Sequence, residues 1–358
     1  MSRFLSNRHT SLNAYTPGEQ PADMEYIKLN TNESPYKPAP GVISAVTESE
    51  LNKLNLYPNP DGVRIIRRIA EFYGVKPENV IIGNGSDELL AFSFIAFFEN
   101  GVVFPDVTYG FYPVYAELYG IPYKRIALSD DLSINVKDYV AIGSNITLAN
   151  PNAPTGIALK SRDIETIVSS NPDNIVLLDE AYIDFGGESA IPLTHKYDNL
   201  LVMHTYSKAR SMAGARLAYA IASAPIIDDL RKMKYSFNPY NVNRLTQLMG
   251  EAALNEEAYY GEKRREIITM REYTEKKLRE LGFEMTDSSA NFLFAKHPGS
   301  SGNGLYSRLK QAGILVRQWN KPRISDYIRI TIGTKGQMDA LIAALKEILK
   351  SGGEEGVR

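Results

Sequence analysis

Lys208 stands at the end of the apolar run Leu200-Leu-Val-Met-His-Thr-Tyr-Ser-Lys208, among the hydroxyls of Thr205 and Ser207, and Arg216 follows shortly after. With 40 basic side chains in the chain, a solvated surface charge is the default for any one lysine. At a strand end among hydroxyls, the amine can instead lose its proton and attack an aldehyde. Asp179 closes a second run, Ile175-Val-Leu-Leu, and opens Asp179-Glu-Ala-Tyr182. A carboxylate desolvated there needs a partner, and a protonated pyridine nitrogen is one. An N-cap or a core ion pair is the commoner explanation of a lone Asp. Gly83-Asn-Gly85-Ser86-Asp87-Glu precedes the apolar helical stretch Leu89 to Phe98. Glycines permit a tight turn, and the free N–H groups of a helix start favour a phosphate. An ordinary strand-to-helix turn capped by Ser86 or Asp87 fits the same residues. In Asn150-Pro-Asn152-Ala153-Pro-Thr-Gly the prolines bracketing an Asn make a rigid non-helical turn, able to aim an amide at a ligand or simply to turn at the surface.

Ligands of open α/β sheets sit beyond the carboxyl ends of the strands, which is where these groups fall. The runs Val80-Ile-Ile, Val102-Val-Phe, Ile146-Thr-Leu, Ile175-Val-Leu-Leu, Leu200-Leu-Val-Met and Leu217-Ala-Tyr-Ala-Ile are short, continuous and bounded by turn residues. They read as strands buried on both faces, alternating with helices. The expected fold is α/β: a mostly parallel central sheet with helices on both faces, plus a smaller α+β domain. After about residue 225 the texture changes to charged helices, chiefly Glu256 to Leu281, followed by the strand-like Phe292-Leu-Phe, Ile314-Leu-Val and Ile328-Arg-Ile-Thr-Ile. The expected organisation is an arm over 1–45 partly joining the small domain, a large domain over 46–260 and a small domain over 261–358. The arm is rich in Asn, Pro and Thr and reads as extended.

Composition narrows the function classes. At 358 residues, with 44% apolar and 23% charged side chains and a net charge of −2, the chain has ordinary globular values and no basic footprint for nucleic acid or anionic membranes. Zero cysteines exclude disulfides, thiolate metal sites and a Cys nucleophile, and fit a reducing cytosol. Met1 to Tyr15 is polar, unlike a signal peptide, and no run of about 18 apolar residues exists to span a bilayer. A soluble cytoplasmic protein without a metal, nucleic-acid or membrane partner is expected. A dinucleotide-binding dehydrogenase is set aside because Gly83-Asn-Gly lacks the following Gly-x-x-Gly spacing and an acidic residue ending the next strand.

The ordered series Gly83-Asn-Gly-Ser-Asp87, Asn150-Pro-Asn-Ala-Pro-Thr-Gly, Asp179-Glu-Ala-Tyr182, Ser207-Lys208-Ala and Ala213-Gly-Ala-Arg216 resembles the fold-type-I pyridoxal 5'-phosphate (PLP) aminotransferases, and among them the histidinol-phosphate aminotransferase family. The likeness extends from Leu29-Asn-Thr-Asn32-Glu-Ser-Pro and Tyr57-Pro-Asn-Pro-Asp-Gly to Ile328-Arg329-Ile-Thr-Ile-Gly-Thr. Each motif alone is weak; their order and spacing carry the resemblance. It implies that Lys208 holds PLP as a Schiff base and later moves the substrate's α-proton, while Asp179 keeps the ring nitrogen protonated. Tyr182 is implied to bond the ring's phenolic oxygen and Tyr109 to stack on the ring. Gly85, Ser86, Asp87, Ser207 and the fork of Arg216 are implied around the phosphate, and Thr205 among the cofactor-binding residues. Tyr57 matches a tyrosine reaching the phosphate from the partner subunit, which implies a homodimer. Arg329 matches the arginine that grips the α-carboxylate of glutamate, Arg317 a second anion-binding arginine, Tyr15 a tyrosine near the substrate phosphate, and Asn32 the arm segment lining the site.

The chain departs from the family in four places. Ala153 stands where the family often has Asn, leaving Asn152 as the nearest amide for the ring oxygen. Arg210 and Ser211 replace an aromatic residue and Gly after the lysine, and Ala218 replaces a common Gly. The resemblance implies amino transfer between histidinol phosphate and 2-oxoglutarate, in histidine biosynthesis. An aromatic or broad-specificity aminotransferase and a threonine-phosphate decarboxylase share the motifs. A PLP-sensing transcription regulator fits less well, because the first residues form the arm and offer no basic helix pair.

Overall fold

The computed structural model describes residues 2–354 of the chain. In chain order its strands are β1 (Ile27–Lys28), β2 (Val80–Gly83), β3 (Val102–Pro105), β4 (Tyr123–Ile126), β5 (Asn145–Ala149), β6 (Val176–Asp179), β7 (Leu200–Thr205), β8 (Ala218–Ile221), β9 (Glu284–Met285), β10 (Phe292–Lys296), β11 (Ile314–Leu315), β12 (Arg317–Gln318) and β13 (Tyr327–Thr331). Seven of them form the central sheet in the order β2-β8-β7-β6-β5-β3-β4. Only β8 runs against its neighbours, pairing antiparallel with β2 and β7. The remaining ladders are parallel, each joined through an intervening helix.

Alternation along each strand explains why the runs are apolar throughout. Val80, Ile82, Ile146, Leu148, Val176, Leu178, Leu200 and Val202 face a core shared with the helices Val63–Tyr73, Ser161–Ser169 and Arg244–Asn255. Ile81, Val102, Phe104, Leu177, Leu201 and Met203 face the opposite core, against the helices Ser86–Phe97, Phe111–Tyr119 and Ala224–Phe237. With both faces covered, these strands are apolar almost throughout until the carboxyl end, the buried Asn145 and Thr147 of β5 being exceptions. The edge strand β4 escaped the sequence reading because its Lys124 and Arg125 are exposed and its pattern is not apolar.

The C-terminal part has its own sheet, β12-β13-β10-β9, antiparallel throughout. A third core forms between this sheet and the helices Glu257–Glu280, Gly302–Gln311 and Lys335–Glu354, from residues such as Leu293, Ile328, Ile330, Leu309 and Leu341. The arm joins this part through β1, which pairs parallel with β11. Leu29 continues the contact, accepting from Thr331 and donating to Leu315 through its backbone. The arm then passes the carboxyl ends of the central strands, which places Thr31 and Asn32 between the two sheets. No helix among the described residues is long and apolar enough to cross a membrane.

Candidate functional site

A cavity of about 390 Å³ opens where the central strands end, bounded on its other sides by the arm and the C-terminal sheet. Lys208, Asp179 and Tyr182 all line it. Lys208 lies just beyond β7, and its Nζ donates to the Thr31 carbonyl at 3.1 Å. Burial pulls this amine down to about 8, and the nearby Arg329 charge adds to the effect. Asp179 is the last residue of β6 and 6% exposed. It accepts from the Tyr112 hydroxyl at 3.3 Å and the Ala181 N–H at 3.2 Å, with no cation paired to it among the described residues. Burial accordingly pushes its carboxyl up to about 6. Tyr182 accepts from Asn32 Nδ2 at 2.9 Å, which leaves its own proton free to point into the cavity.

The anion cradle lies at the start of the helix Ser86–Phe97. Gly85 precedes it at φ +79°, and any Cβ there would collide with the Arg216 guanidinium, so backbone and cation approach as only glycine allows. Arg216 Nη2 donates to Asp87 Oδ2 at 3.0 Å, and Tyr109 donates to Asp87 Oδ1 at 2.8 Å. Thr205 and Ser207 join through a hydroxyl pair at 2.9 Å. Ser86, Asp87, Thr205, Ser207 and Arg216 all border the cavity. A helix start, hydroxyls and a guanidinium fork are groups that suit a phosphate. An uncompensated buried carboxylate, an amine of lowered basicity and this cradle fit a cofactor with a cationic ring nitrogen, an aldehyde and a phosphate.

Arg329 comes from β13 and Arg317 from β12, and both reach the cavity. Arg329 Nη2 donates to the Asn30 carbonyl at 2.9 Å, while its buried Nε has no hydrogen-bond partner. Burial also lowers its basicity. Arg317 donates to the carbonyls of Thr16 and Pro17 at 2.8 and 2.9 Å, pinning the arm so that Tyr15 borders the cavity. Tyr15 stacks on Phe111 at 4.1 Å.

Asn152, expected at the ring oxygen, lies elsewhere, and Tyr57, expected to serve the partner's site, lies outside its own. Asn152 is 1% exposed and does not line the cavity; its amide accepts from Thr108 at 2.8 Å and donates to the Val107 carbonyl at 3.0 Å and to Thr155 at 3.1 Å. With both ends committed to holding the loop after β3, it has nothing to offer a ring oxygen, and Ala153 and Pro154 border the cavity instead. Tyr57 is 77% exposed, stacked on Tyr240 at 4.4 Å and outside this cavity. Conversely, Thr31, Asp106, Thr108, Trp319 and Lys321 line the site and Tyr112 holds Asp179, none of them picked out from sequence. Tyr112 lies in the first turn of the helix that follows Tyr109, and Trp319 directly follows β12, which carries Arg317, so both stand close in sequence to a residue already singled out.

The family model described as Aminotransferase class I and II matches residues 24–345. The histidinol-phosphate aminotransferase of Brachyspira hyodysenteriae is 48% identical over 354 residues, covering 98% of this chain and 100% of the relative. That of Marinomonas sp. is 47% identical over 353 residues, 97% of this chain and 100% of the relative. Among solved structures, the histidinol-phosphate aminotransferase of Sinorhizobium meliloti in complex with pyridoxal-5'-phosphate superposes with a TM-score of 0.84 at 24% identity, covering 91% of this chain and 92% of that one. The L-threonine-O-3-phosphate decarboxylase of Porphyromonas gingivalis reaches 0.78 at 20% identity, covering 90% and 99%. At these identities structural likeness shows the fold, and the fold is common to both chemistries. Sequence identity over the whole length separates them: the chain is an aminotransferase of class I and II and belongs to the histidinol-phosphate aminotransferase family.

Proposed function

We propose that the enzyme uses PLP to move an amino group from histidinol phosphate to 2-oxoglutarate, as a cytoplasmic step of histidine biosynthesis. The observation that carries the reading is the convergence of the Lys208 amine, the Asp179 carboxylate and the Arg329 guanidinium on one cavity. The substrate assignment rests on the relatives' names and full-length identity. When bound, the cofactor contributes an electrophilic carbon and a ring that accepts electrons.

The chain's own residues do the rest. Asp179 carries a negative charge against the ring nitrogen, which ends its burial without a cation. Tyr182, oriented by Asn32, would donate to the ring oxygen, and Tyr109 would lie beside the ring. Arg216 would hold the phosphate, with Gly85, Ser86, Asp87, Thr205 and Ser207 beside it. Lys208, its amine lowered to about 8 by burial, would take up and carry the proton that leaves the substrate's α-carbon. Arg329 takes the carboxylate of glutamate, and Arg317 and Tyr15 lie on the side of the substrate's phosphate.

A second copy of the chain completes the proposed site. Tyr57, Leu54 at 58%, Leu56 at 56% and Phe237 at 73% exposure leave apolar surface uncovered. Tyr57 from one protomer reaches the phosphate cradle of the other. The same reading divides the chain into an arm (1–45), a large domain (46–260) and a small domain (261–358), of which Met1 and residues 355–358 lie outside the described residues.

The test mixes the yellow holoenzyme with histidinol phosphate, phenylalanine, tyrosine, glutamate or threonine phosphate and follows the cofactor's visible absorption. Histidinol phosphate and glutamate are expected to bleach it fastest. Conversion by glutamate but never by histidinol phosphate rejects the substrate assignment, and carbon dioxide released from threonine phosphate reassigns the reaction.

A further inference from the structure

Arg317 and Arg329 are directly opposite each other on the antiparallel pair β12–β13. Like charges so placed repel, and the repulsion grows where water is excluded. Neither arginine has a carboxylate partner among the described residues, and their hydrogen bonds go to the backbone carbonyls of Thr16, Pro17 and Asn30. What the two share is one ring. The Arg317 guanidinium carbon lies 5.6 Å from the Trp319 centroid and that of Arg329 5.2 Å. Arg329 has a second ring at 5.3 Å, Phe292. Trp319 is the chain's single tryptophan. It borders the cavity, and its ring packs on a small cluster built from both parts of the molecule, with the edge of Phe294 at 6.3 Å.

We infer that Trp319 is a positioning residue for the substrate anion: its indole face holds the opposed guanidiniums of Arg317 and Arg329 together over the cavity, so that a doubly negative substrate meets both. The inference rests on the proposed role of Arg329. An indole attracts a cation through its quadrupole without neutralising it, so the pair keeps its charge for an incoming anion, which a carboxylate at the same place would not allow.

The test compares wild-type holoenzyme with Trp319→Phe, Trp319→Leu and Arg329→Gln, measuring kcat and KM for 2-oxoglutarate and the dissociation constant of maleate, a dicarboxylate that cannot react. Trp319→Leu is expected to weaken maleate roughly tenfold and to raise KM more than it lowers kcat, with Trp319→Phe in between. The emission of the single tryptophan should also change as maleate saturates the wild type. Unchanged maleate affinity in Trp319→Leu overturns the inference, as does an equal loss in kcat/KM carried wholly by kcat. If Trp319→Leu fails to fold, the maleate affinity of Trp319→Phe decides: unchanged, the inference is wrong. Maleate binding that survives Arg329→Gln undermines the role of Arg329 itself, whereas binding lost there but kept in Trp319→Leu refutes only the part assigned to Trp319.

Discussion

The Asn32 side-chain amide donates to the Tyr182 hydroxyl at 2.9 Å, tying the N-terminal arm to the segment that follows β6. Asn32 holds a left-handed φ of +56° and is anchored further by Thr331, whose hydroxyl donates to its Oδ1 at 3.1 Å and accepts from its N–H at 3.0 Å. Two variants separate its roles. Asn32→Gly keeps the backbone at ease but loses both side-chain bonds; Asn32→Ala also forces a Cβ into the left-handed region. We predict that both lose about tenfold in kcat/KM because Tyr182 is no longer oriented, and that Asn32→Ala is less stable than Asn32→Gly by about 1 kcal/mol in urea unfolding. Equal stability of the two removes backbone strain from the explanation.

The buried amine and carboxylate give the cofactor-free protein a characteristic pH profile. Lys208 binds its proton less tightly folded, at about 8, than unfolded, so the unfolded chain holds more protons from about pH 8 to 10.5 and stability rises with pH there. Asp179 is the reverse. Its folded carboxyl titrates at about 6 against an ordinary 3.8, so stability falls as pH rises from about 4 to 6. Lys208→Met should abolish the alkaline rise and, at pH 7, stabilise the cofactor-free protein by on the order of 2 kcal/mol while eliminating turnover. Denaturant midpoints at pH 7 and 10 check it: a variant that matches wild type at both pH values contradicts the burial argument.

Arg210, one of the departures from the family pattern, does not line the cavity. It is 6% exposed, donates to the Ala253 carbonyl at 3.1 Å and to Glu257 at 3.2 Å, and lies over Phe72, Tyr206 and Tyr260 at 5.2 to 5.6 Å. Arg210→Ala strips these contacts and leaves a hole, and is expected to cost about 3 kcal/mol of stability. KM for both substrates should stay within about twofold of wild type in steady-state assays below the melting temperature. A tenfold change in KM for either would show that Arg210 governs specificity.

Arg323 crosses from the C-terminal part to the central sheet. It donates to Asp106 at 2.8 Å and to the carbonyls of Leu128 and Ser129 at 2.9 and 2.8 Å, from a residue held at φ +68°. Asp106 in turn accepts from the N–H groups of Val107 and Leu128 at 2.9 and 3.0 Å. Arg323→Ala should cost about 1 to 2 kcal/mol and raise amide exchange in the loops around 106–108 and 319–326, since a charge-assisted bond and two backbone caps vanish together. Exchange confined to the substituted loop would mean that the bridge does not couple the two parts.

Much of the fold was legible because it is written locally. Runs such as Leu200-Leu-Val-Met are apolar at every position since helices cover both faces of the sheet, and that need appears in the sequence whatever the rest of the chain does. Lys208, Asp179 and the Gly85–Asp87 turn announced themselves the same way, as polar groups where apolar runs stop. Tertiary structure alone decided what meets them. The Thr31 carbonyl under the lysine and Tyr112 on the aspartate come from pairings between distant segments, and the opposition of Arg317 to Arg329 beside one indole comes from the register of two strands. Asn152 teaches the same point in reverse. Its residue type suited a ligand contact, but an amide has few hydrogen-bonding positions, and here neighbouring loop atoms occupy them. Residue type and spacing determine which chemistry a chain can offer, whereas direction and remaining valence are set by whichever remote groups the fold brings alongside.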